Sequence, residues 1–158
     1  MAFIGPIEDR LEIRELIATY ANAVTRNDPV AYAECWAEDG IWSIPALPGM
    51  ERIEGRDAIM AIWVEAMKLF PFQVMLAVPG ETIVTGDTAR GITYNQELNG
   101  TISGVTQRWT CEYNDEYVKR DGRWQIKSRT LRVLHIGPDE PNTPYVGPEE
   151  PVGASSAG

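Results

Sequence analysis

Histidine and cysteine are scarce in this chain, and their scarcity excludes several kinds of chemistry. One histidine, His135, and two cysteines, Cys35 and Cys111, occur among 158 residues. The histidine and the two distant cysteines have no recognisable metal-ligand spacing, and a single cysteine pair is too few for a disulfide framework. We therefore expect no metal site, and two free thiols in a reducing compartment.

Positive charge and long apolar runs are also in short supply. The chain has 14 basic against 23 acidic residues, a formal net charge of -9, which repels phosphate backbones and anionic lipid. No apolar run approaches the ~20 residues that span a bilayer, no charged leader precedes an apolar stretch, and no glycine-rich loop opens a helix for phosphate binding. These absences favour a cytoplasmic protein that binds neither nucleic acid nor membrane and works without a cofactor.

The first half of the chain has the periodicity of helices. Apolar side chains recur at i, i+3, i+4, i+7 and i+8 from Ile13 onward, with Tyr20 on the same stripe, which predicts one long amphipathic helix. Asp28-Pro29 is a typical N-cap followed by a first-turn proline, and it predicts a second helix. The predicted elements in chain order are a helix over 7–26, a helix from 28 to about 36, a strand over 41–44, a short strand over 52–54 and a helix over 58–69.

From Phe72 onward the period changes to that of strands. Gly-Asp, Asn-Gly and Asp-Gly pairs separate four runs, and short turns between successive strands predict an antiparallel meander. The four predicted strands are 73–84, 88–99, 103–119 and 123–135.

The last two of these strands form a long hairpin from Thr106 to His135, folded about Asp121-Gly122. Trp109, Cys111, Tyr113, Asp115 and Tyr117 share one parity of its first strand, so they face the same side of the sheet. So many polar groups are unusual in a hairpin that only fills a core. The hairpin is therefore expected to carry functional residues.

After the hairpin the composition changes sharply. Prolines at 138, 141, 144, 148 and 151 are followed by small residues, and such a segment cannot form a regular core element. We expect one domain over residues 1–136 and a Pro-rich tail over 137–158, which is either disordered or a strap over the mouth of the domain.

Four short phrases, in order and suitably spaced, carry a family resemblance. The phrases are Leu16-Ile17-Ala18-Thr19-Tyr20-Ala21, Trp36-Ala37-Glu38-Asp39-Gly40, Ile53-Glu54-Gly55-Arg56-Asp57-Ala58-Ile59 and Tyr117-Val118-Lys119-Arg120-Asp121-Gly122-Arg123-Trp124. Over residues 7–135 the chain resembles the SnoaL-like branch of the NTF2-like superfamily. The resemblance implies a cone-shaped α+β fold, in which a curved antiparallel sheet wraps around a long N-terminal helix, with two further helices and a pocket at the wide end.

Function is not settled by this resemblance, because the fold hosts several activities. Its members include scytalone dehydratase, ketosteroid isomerase, polyketide cyclases and hexachlorocyclohexane dehydrochlorinase, alongside non-catalytic binders. The dehydrochlorinase and dehydratase group uses an aspartate late in the first helix and a histidine early in the sheet. Here Thr25 takes the first position, the second falls among Gln73, Val74 and Met75, and the aspartate of the isomerase branch is replaced by Ile44-Pro45. The usual bases are therefore absent.

Other positions that the resemblance directs toward the pocket must then carry any chemistry. The candidates for catalysis are Tyr20, Glu97, Tyr113, Asp115, Arg129 and His135. The candidates for substrate binding are Thr25, Trp42, Gln73, Asn95, Trp109, Cys111, Leu131 and Val133.

Each catalytic candidate also has a purely structural interpretation. Tyr20 is either a donor to a developing oxyanion or a core tyrosine, and His135 is either a proton shuttle or a solvated strand end. Arg129 either holds an anionic oxygen or pairs with a glutamate of the sheet. Glu97 is a general base if it is desolvated, although its place beside an Asn-Gly turn favours a solvated residue. Asp115 matches the acidic donor of the isomerase branch.

Three functions remain open. The first is a cofactor-independent lyase that eliminates water or a small carbonyl such as formaldehyde from a hydroxylated aromatic or polycyclic substrate, for example a lignin-derived diarylpropane. The second is a non-catalytic binder or accessory subunit for a small hydrophobic or aromatic ligand, and the third is an isomerase or polyketide cyclase. The resemblance also implies a homo-oligomer, a trimer before a dimer.

Overall fold

A computed structural model of the chain describes residues 3–138, and the long N-terminal helix is its organising element. The apolar stripe of this helix faces a seven-stranded sheet, one shorter helix packs against the long helix, and the other packs against the sheet. The elements are β1 (Phe3–Ile4), α1 (Ile7–Arg26), α2 (Pro29–Glu34), β2 (Trp36–Ser43), β3 (Ile53–Glu54), α3 (Arg56–Met67), β4 (Phe72–Thr85), β5 (Thr88–Gly100), β6 (Thr106–Arg120) and β7 (Arg123–Pro138).

The helices begin and end where local signals place them. α1 has the predicted bounds, and it ends at Asn27 in the left-handed conformation (φ 51°). The Asp28 carboxylate then accepts hydrogen bonds from the backbone N–H groups of Val30 and Ala31 and caps α2. α2 is shorter than predicted, because β2 already begins at Trp36.

The sheet is mixed, with the strand order β1-β4-β5-β6-β7-β2-β3. β4 to β7 form the predicted antiparallel meander, whereas β1 pairs with β4 and β2 pairs with β7 in parallel. The sheet is curved and unclosed, and α1 packs on its inner face against β4 and β7. The predicted α+β architecture with three helices is therefore confirmed.

A β-bulge near the end of β7 decides which side chains face inward. Cys111 pairs with Val133, but Thr110 pairs with His135, so Leu134 is an extra residue in β7. A bulge of one residue reverses the alternation of the faces beyond it. His135 therefore lies with Thr110 on the outer face.

The described part of the chain ends within β7. That strand continues to Pro138, beyond the predicted domain boundary, and residues 139–158 of the Pro-rich segment lie outside the described residues. The choice between a disordered tail and a strap stays a prediction. Among residues 3–138, none of the helices is long and apolar enough to cross a membrane.

Candidate active site

A cavity of about 130 Å³ opens between α1, α3 and the inner face of the sheet. Its walls are mainly apolar and aromatic, and three indole rings, Trp42, Trp63 and Trp109, contribute to them. A cavity of about 150 Å³ is known to hold one benzene molecule, so this volume suits a single aromatic ring. The polar side chains that line it are Tyr20, Gln73, Glu97, Asn99 and Tyr113.

The carboxylate of Glu97 is surrounded by side-chain amides. Its Oε1 accepts a hydrogen bond from Asn95 Nδ2 at 2.8 Å. Its Oε2 accepts from Gln73 Nε2 at 3.2 Å and from Asn99 Nδ2 at 3.5 Å. Burial raises the pKa of Glu97, and the hydrogen bonds from these amides and from Tyr113 oppose that rise only in part. The result is a carboxylate whose pKa moves toward the range useful for a general base.

The course of β5 explains why Glu97 is not a solvated turn residue, the interpretation that the sequence favoured. β5 runs to Gly100, so Asn95, Glu97 and Asn99 share one face. Gln73 lies directly across from Asn99 in the register of β4 and β5. Strand alternation thus brings the three amides to one carboxylate.

A second polar cluster lies beside the cavity, centred on Arg129. Its guanidinium carbon lies 4.2 Å from the ring centroid of Tyr20 and 4.1 Å from that of Tyr113, so two rings sandwich the cation. Arg129 Nε and Nη2 donate to Asp115 at 2.8 and 2.7 Å, and the Tyr117 hydroxyl donates to the same carboxylate at 2.7 Å. Arg129 is 1% exposed and Asp115 is 3% exposed.

This cluster gives Arg129 and Asp115 a different place from the one that the sequence led us to expect. Neither residue is among those that line the cavity. Asp115 accepts three hydrogen bonds, whereas the expected acidic donor would have to give one. Arg129 forms an ion pair within the sheet, as in its structural alternative, but with Asp115 rather than with a glutamate. The guanidinium of this pair packs against the rings of Tyr20 and Tyr113.

The two tyrosines that line the cavity are neutral hydrogen-bond donors. Burial raises the pKa of Tyr20, and it raises that of Tyr113 well above the ordinary phenol value. The Tyr20 hydroxyl also lies 3.2 Å from the hydroxyl of Tyr32, a buried residue of α2. A phenol that stays protonated suits a developing oxyanion, because it supplies a hydrogen bond without bringing a charge.

The structure brings only part of the predicted site together. Tyr20, Trp42, Gln73, Glu97, Trp109, Tyr113 and Leu131 line the cavity. The other predicted positions do not: Asn95 lies behind Glu97, Cys111 is fully buried, Val133 packs against the core, Thr25 accepts a hydrogen bond from Met75 N at 2.9 Å, and His135 is exposed.

Two of the corrected positions have clear physical reasons. The Thr25 hydroxyl ties α1 to the backbone of β4, so it is occupied by a structural bond. His135 is carried to the outer face by the bulge at Leu134, and the expected proton shuttle is therefore outside the cavity.

Sequence reasoning missed two residues that matter here. Asn99 shares the strand parity of Asn95 and Glu97, and this signal was available in the sequence. Tyr32 lies in a helix of six residues, where neither periodicity nor the family phrases single it out. Within residues 3–138 no group of three or more His, Cys, Asp and Glu side chains could hold a metal ion.

Comparison with known proteins places this architecture in a family. The SnoaL-like domain matches residues 6–130, which is most of the chain. Among curated proteins, none matches this chain. The solved structure of a hexachlorocyclohexane dehydrochlorinase, LinA type 2, is 17% identical, with a TM-score of 0.77 over 91% of this chain and 97% of that one.

Two solved structures from Novosphingobium aromaticivorans also share the fold. A candidate scytalone dehydratase is 20% identical, with a TM-score of 0.76 over 85% of this chain and 89% of that one. A candidate aromatic ring hydroxylase is 22% identical, with a TM-score of 0.77 over 85% of this chain and 96% of that one. At these identities the likeness shows a shared cone-shaped fold. With the match over residues 6–130, the chain belongs to the family of SnoaL-like domains.

Proposed function

We propose that this protein is a cofactor-independent lyase that uses Glu97 as its general base. The observation that carries the proposal is a carboxylate in the cavity wall whose pKa is raised by burial and whose hydrogen bonds come from neutral groups. Two neighbours in fold are named for elimination chemistry, as a dehydrochlorinase and a candidate dehydratase. Glu97 then replaces the aspartate and histidine whose positions are taken by Thr25 and the Gln73 region.

The residues of the cavity can divide the work of an elimination. Glu97 takes a proton from a carbon of the substrate, and the electron pair of that C–H bond forms the new double bond as the leaving oxygen departs. Tyr20 donates a hydrogen bond to the oxygen on which negative charge develops, while Tyr113 donates to the Glu97 carboxylate. The proton held by Glu97 is then returned to the departing oxygen, and water leaves.

The cavity suggests the size of the substrate. Its volume of about 130 Å³ takes about one aromatic ring, and indole and phenol rings surround it. We therefore propose a single-ring hydroxylated aromatic. A diarylpropane would place one ring in the cavity and leave the other at its mouth.

An isomerase or cyclase is a second candidate, because the same observation favours it. A single carboxylate with a raised pKa can move a proton between two carbons while a neutral phenol holds the oxyanion. The mass of the product separates the two reactions, since an elimination loses water or a small carbonyl and an isomerisation conserves mass.

Substitution of the base tests the proposal. We expect Glu97→Gln to lower kcat/KM by about 10²- to 10⁴-fold on a panel of single-ring hydroxylated aromatics, followed by absorbance and by product mass. The wild-type rate should rise with pH through an apparent pKa above the ordinary glutamate value, because only the ionised carboxylate is a base.

Glu112→Gln is the matched control. Glu112 lies on the neighbouring strand β6, outside the cavity, where it accepts a hydrogen bond from Arg132 Nη2 at 3.0 Å. This variant should turn over substrate like the wild type. Equal turnover by Glu97→Gln and Glu112→Gln would contradict a base at Glu97, whereas no turnover by the wild type on any compound of the panel would favour the non-catalytic binder.

The homotrimer and the cytoplasmic location stay predictions. Exposed apolar side chains on β4, Leu76 and Val78, and Tyr94 on β5 support an oligomer, because such residues need covering.

A further inference from the structure

The amide oxygens around Glu97 have no hydrogen-bond partners of their own. Gln73, Asn95 and Asn99 each direct their NH₂ group to the Glu97 carboxylate. The buried oxygens of all three amides, Gln73 Oε1, Asn95 Oδ1 and Asn99 Oδ1, are left without a partner. Buried polar atoms without partners are rare, so three around one carboxylate call for an explanation.

Two of these three oxygens belong to side chains that line the cavity. Gln73 and Asn99 are part of its wall, and Asn99 is only 2% exposed, whereas Asn95 lies behind the wall. The amide nitrogens of Gln73 and Asn99 both bond to the same oxygen of Glu97, so the two amides lie next to each other. One end of a mainly apolar cavity is thus lined by two amide side chains whose oxygens have no hydrogen-bond partner.

From this arrangement we infer that Gln73 Oε1 and Asn99 Oδ1 accept hydrogen bonds from hydroxyl groups of the substrate, and that they select an aromatic ring with hydroxyls over one with methyls. The inference rests on the proposed function and deepens it, because it identifies the groups that hold a hydroxylated ring against the base. A site built to bond a hydroxyl rejects an analogue without it, since its acceptors are then left unpaired.

Neutral hydroxyls fit this site better than an ammonium group does. The rings of Tyr20 and Tyr113, which line the cavity, already contact the guanidinium of Arg129 at 4.2 and 4.1 Å. The ring faces are thus already occupied, and an ammonium group would lose its hydration in a cavity whose walls are mainly apolar, at a greater cost than a neutral hydroxyl. We therefore commit to neutral hydroxyl donors.

Three ligands of nearly the same shape test the inference on the wild-type protein. Catechol, 2-methylphenol and o-xylene carry two, one and no hydroxyls on the same ring positions. We expect catechol to bind about tenfold or more tightly than o-xylene by isothermal titration calorimetry, with 2-methylphenol between them. This order opposes hydrophobicity, which favours o-xylene. Binding of o-xylene as tight as that of catechol would overturn the inference.

Substitutions of the amides then test which side chains cause the preference for catechol. The double variant Gln73→Met, Asn99→Leu should lose the preference for catechol, because both cavity acceptors are gone. The matched control is Asn95→Leu, which also removes an amide from Glu97 but leaves the cavity acceptors in place, and it should keep the preference. A preference that persists in the double variant would place the hydroxyls elsewhere and overturn the assignment. If either variant fails to fold, the three-ligand comparison on the wild type still decides.

Charge is tested by a separate pair of probes. Benzyl alcohol should bind more tightly than benzylamine, and the reverse order would overturn the commitment to neutral donors. None of these measurements requires turnover, so their failure is distinguishable from failure of the proposed function. Normal base dependence with no hydroxyl preference would reject only the inference, whereas hydroxyl preference with unaffected turnover in Glu97→Gln would reject only the proposed base.

Discussion

Two buried regions of this protein each contain a carboxylate on the inner face of the sheet, and the two carboxylates have different hydrogen-bond partners. Asp115, on β6, accepts two N–H groups of Arg129 and the hydroxyl of Tyr117. Glu97, on β5, accepts hydrogen bonds from neutral amides. An ion pair fixes the first carboxylate as a structural part, whereas the second keeps a raised pKa and lines a cavity.

Cross-strand register is the cause of this difference. Arg129 lies directly across from Asp115 in β7, so a cation meets the carboxylate in the same layer. The partners of Glu97 in the two neighbouring strands are Met75 and Trp109, neither of which can neutralise a charge. The raised pKa of Glu97 therefore reflects the neutral residues opposite it in the sheet as well as its burial.

Among the substitutions, removal of the Arg129 cation, the partner of Asp115, should have the largest effect on stability. We expect Arg129→Met to lower the free energy of unfolding by about 3–5 kcal/mol, because it leaves Asp115 buried without its counter-ion. Urea denaturation measures the change. Arg132→Met, which breaks the ion pair with Glu112 at a side chain that is 63% exposed, is the control and should have a much smaller effect. Similar losses in the two variants would show that the Arg129 pair is not essential to the fold.

The pH dependence of stability should have opposite signs for Glu97, whose pKa is raised, and for Glu112, whose pKa an arginine lowers. The folded pKa of Glu97 is raised, so the folded state binds more protons, and stability falls as pH rises from the ordinary glutamate value through the folded one. Glu97→Gln should remove this fall, and the variant should gain on the wild type as pH increases. The measurement is the free energy of unfolding from urea titrations across this range.

Glu112 provides the opposite sign for comparison. The hydrogen bonds from Arg132 lower its pKa, so its contribution to stability is present above the ordinary glutamate value and is lost as pH falls through the folded one. Glu112→Gln should remove that loss on acidification. If the two variants, Glu97→Gln and Glu112→Gln, differed from the wild type in the same way across this pH range, the opposite pKa shifts of the two carboxylates would be contradicted.

Periodicity predicted most of the fold, and its failures are informative. The bounds of α1 and the meander of β4 to β7 follow from repeats of apolar residues and from turn dipeptides. The short strand β3 was also predicted, whereas β1 and the parallel pairing of β2 with β7 have no such local signal, because they depend on contacts between distant parts of the chain. The sequence also contains no local signal for the bulge at Leu134, and this bulge places His135 on the outer face of the sheet, outside the cavity.

For the site, the sequence predicted only which residues share a face of a helix or a strand. The resemblance directed Tyr20, Trp42 and Tyr113 toward a pocket, and all three line the cavity, because helix stripes and strand parity follow from spacing. Which carboxylate is neutralised could not be predicted, since the opposite roles of Asp115 and Glu97 depend on register between strands. A residue beside an Asn-Gly pair resembles a turn until the length of β5 is known.

The smallest expected effect concerns Thr25, the position where the family resemblance implies an aspartate. If the base has moved from α1 to Glu97 on β5, Thr25 has only the structural role of accepting a hydrogen bond from Met75 N. Thr25→Val should then cost about 1 kcal/mol of stability, because the N–H of Met75 loses its partner. It should leave the apparent pKa of the pH–rate profile unchanged, whereas Glu97→Gln abolishes that ionisation. Denaturation and pH–rate curves on the same preparations measure both quantities. A shifted pKa in Thr25→Val would show that this position still takes part in proton transfer, and that the division between a structural and a reactive carboxylate is incomplete.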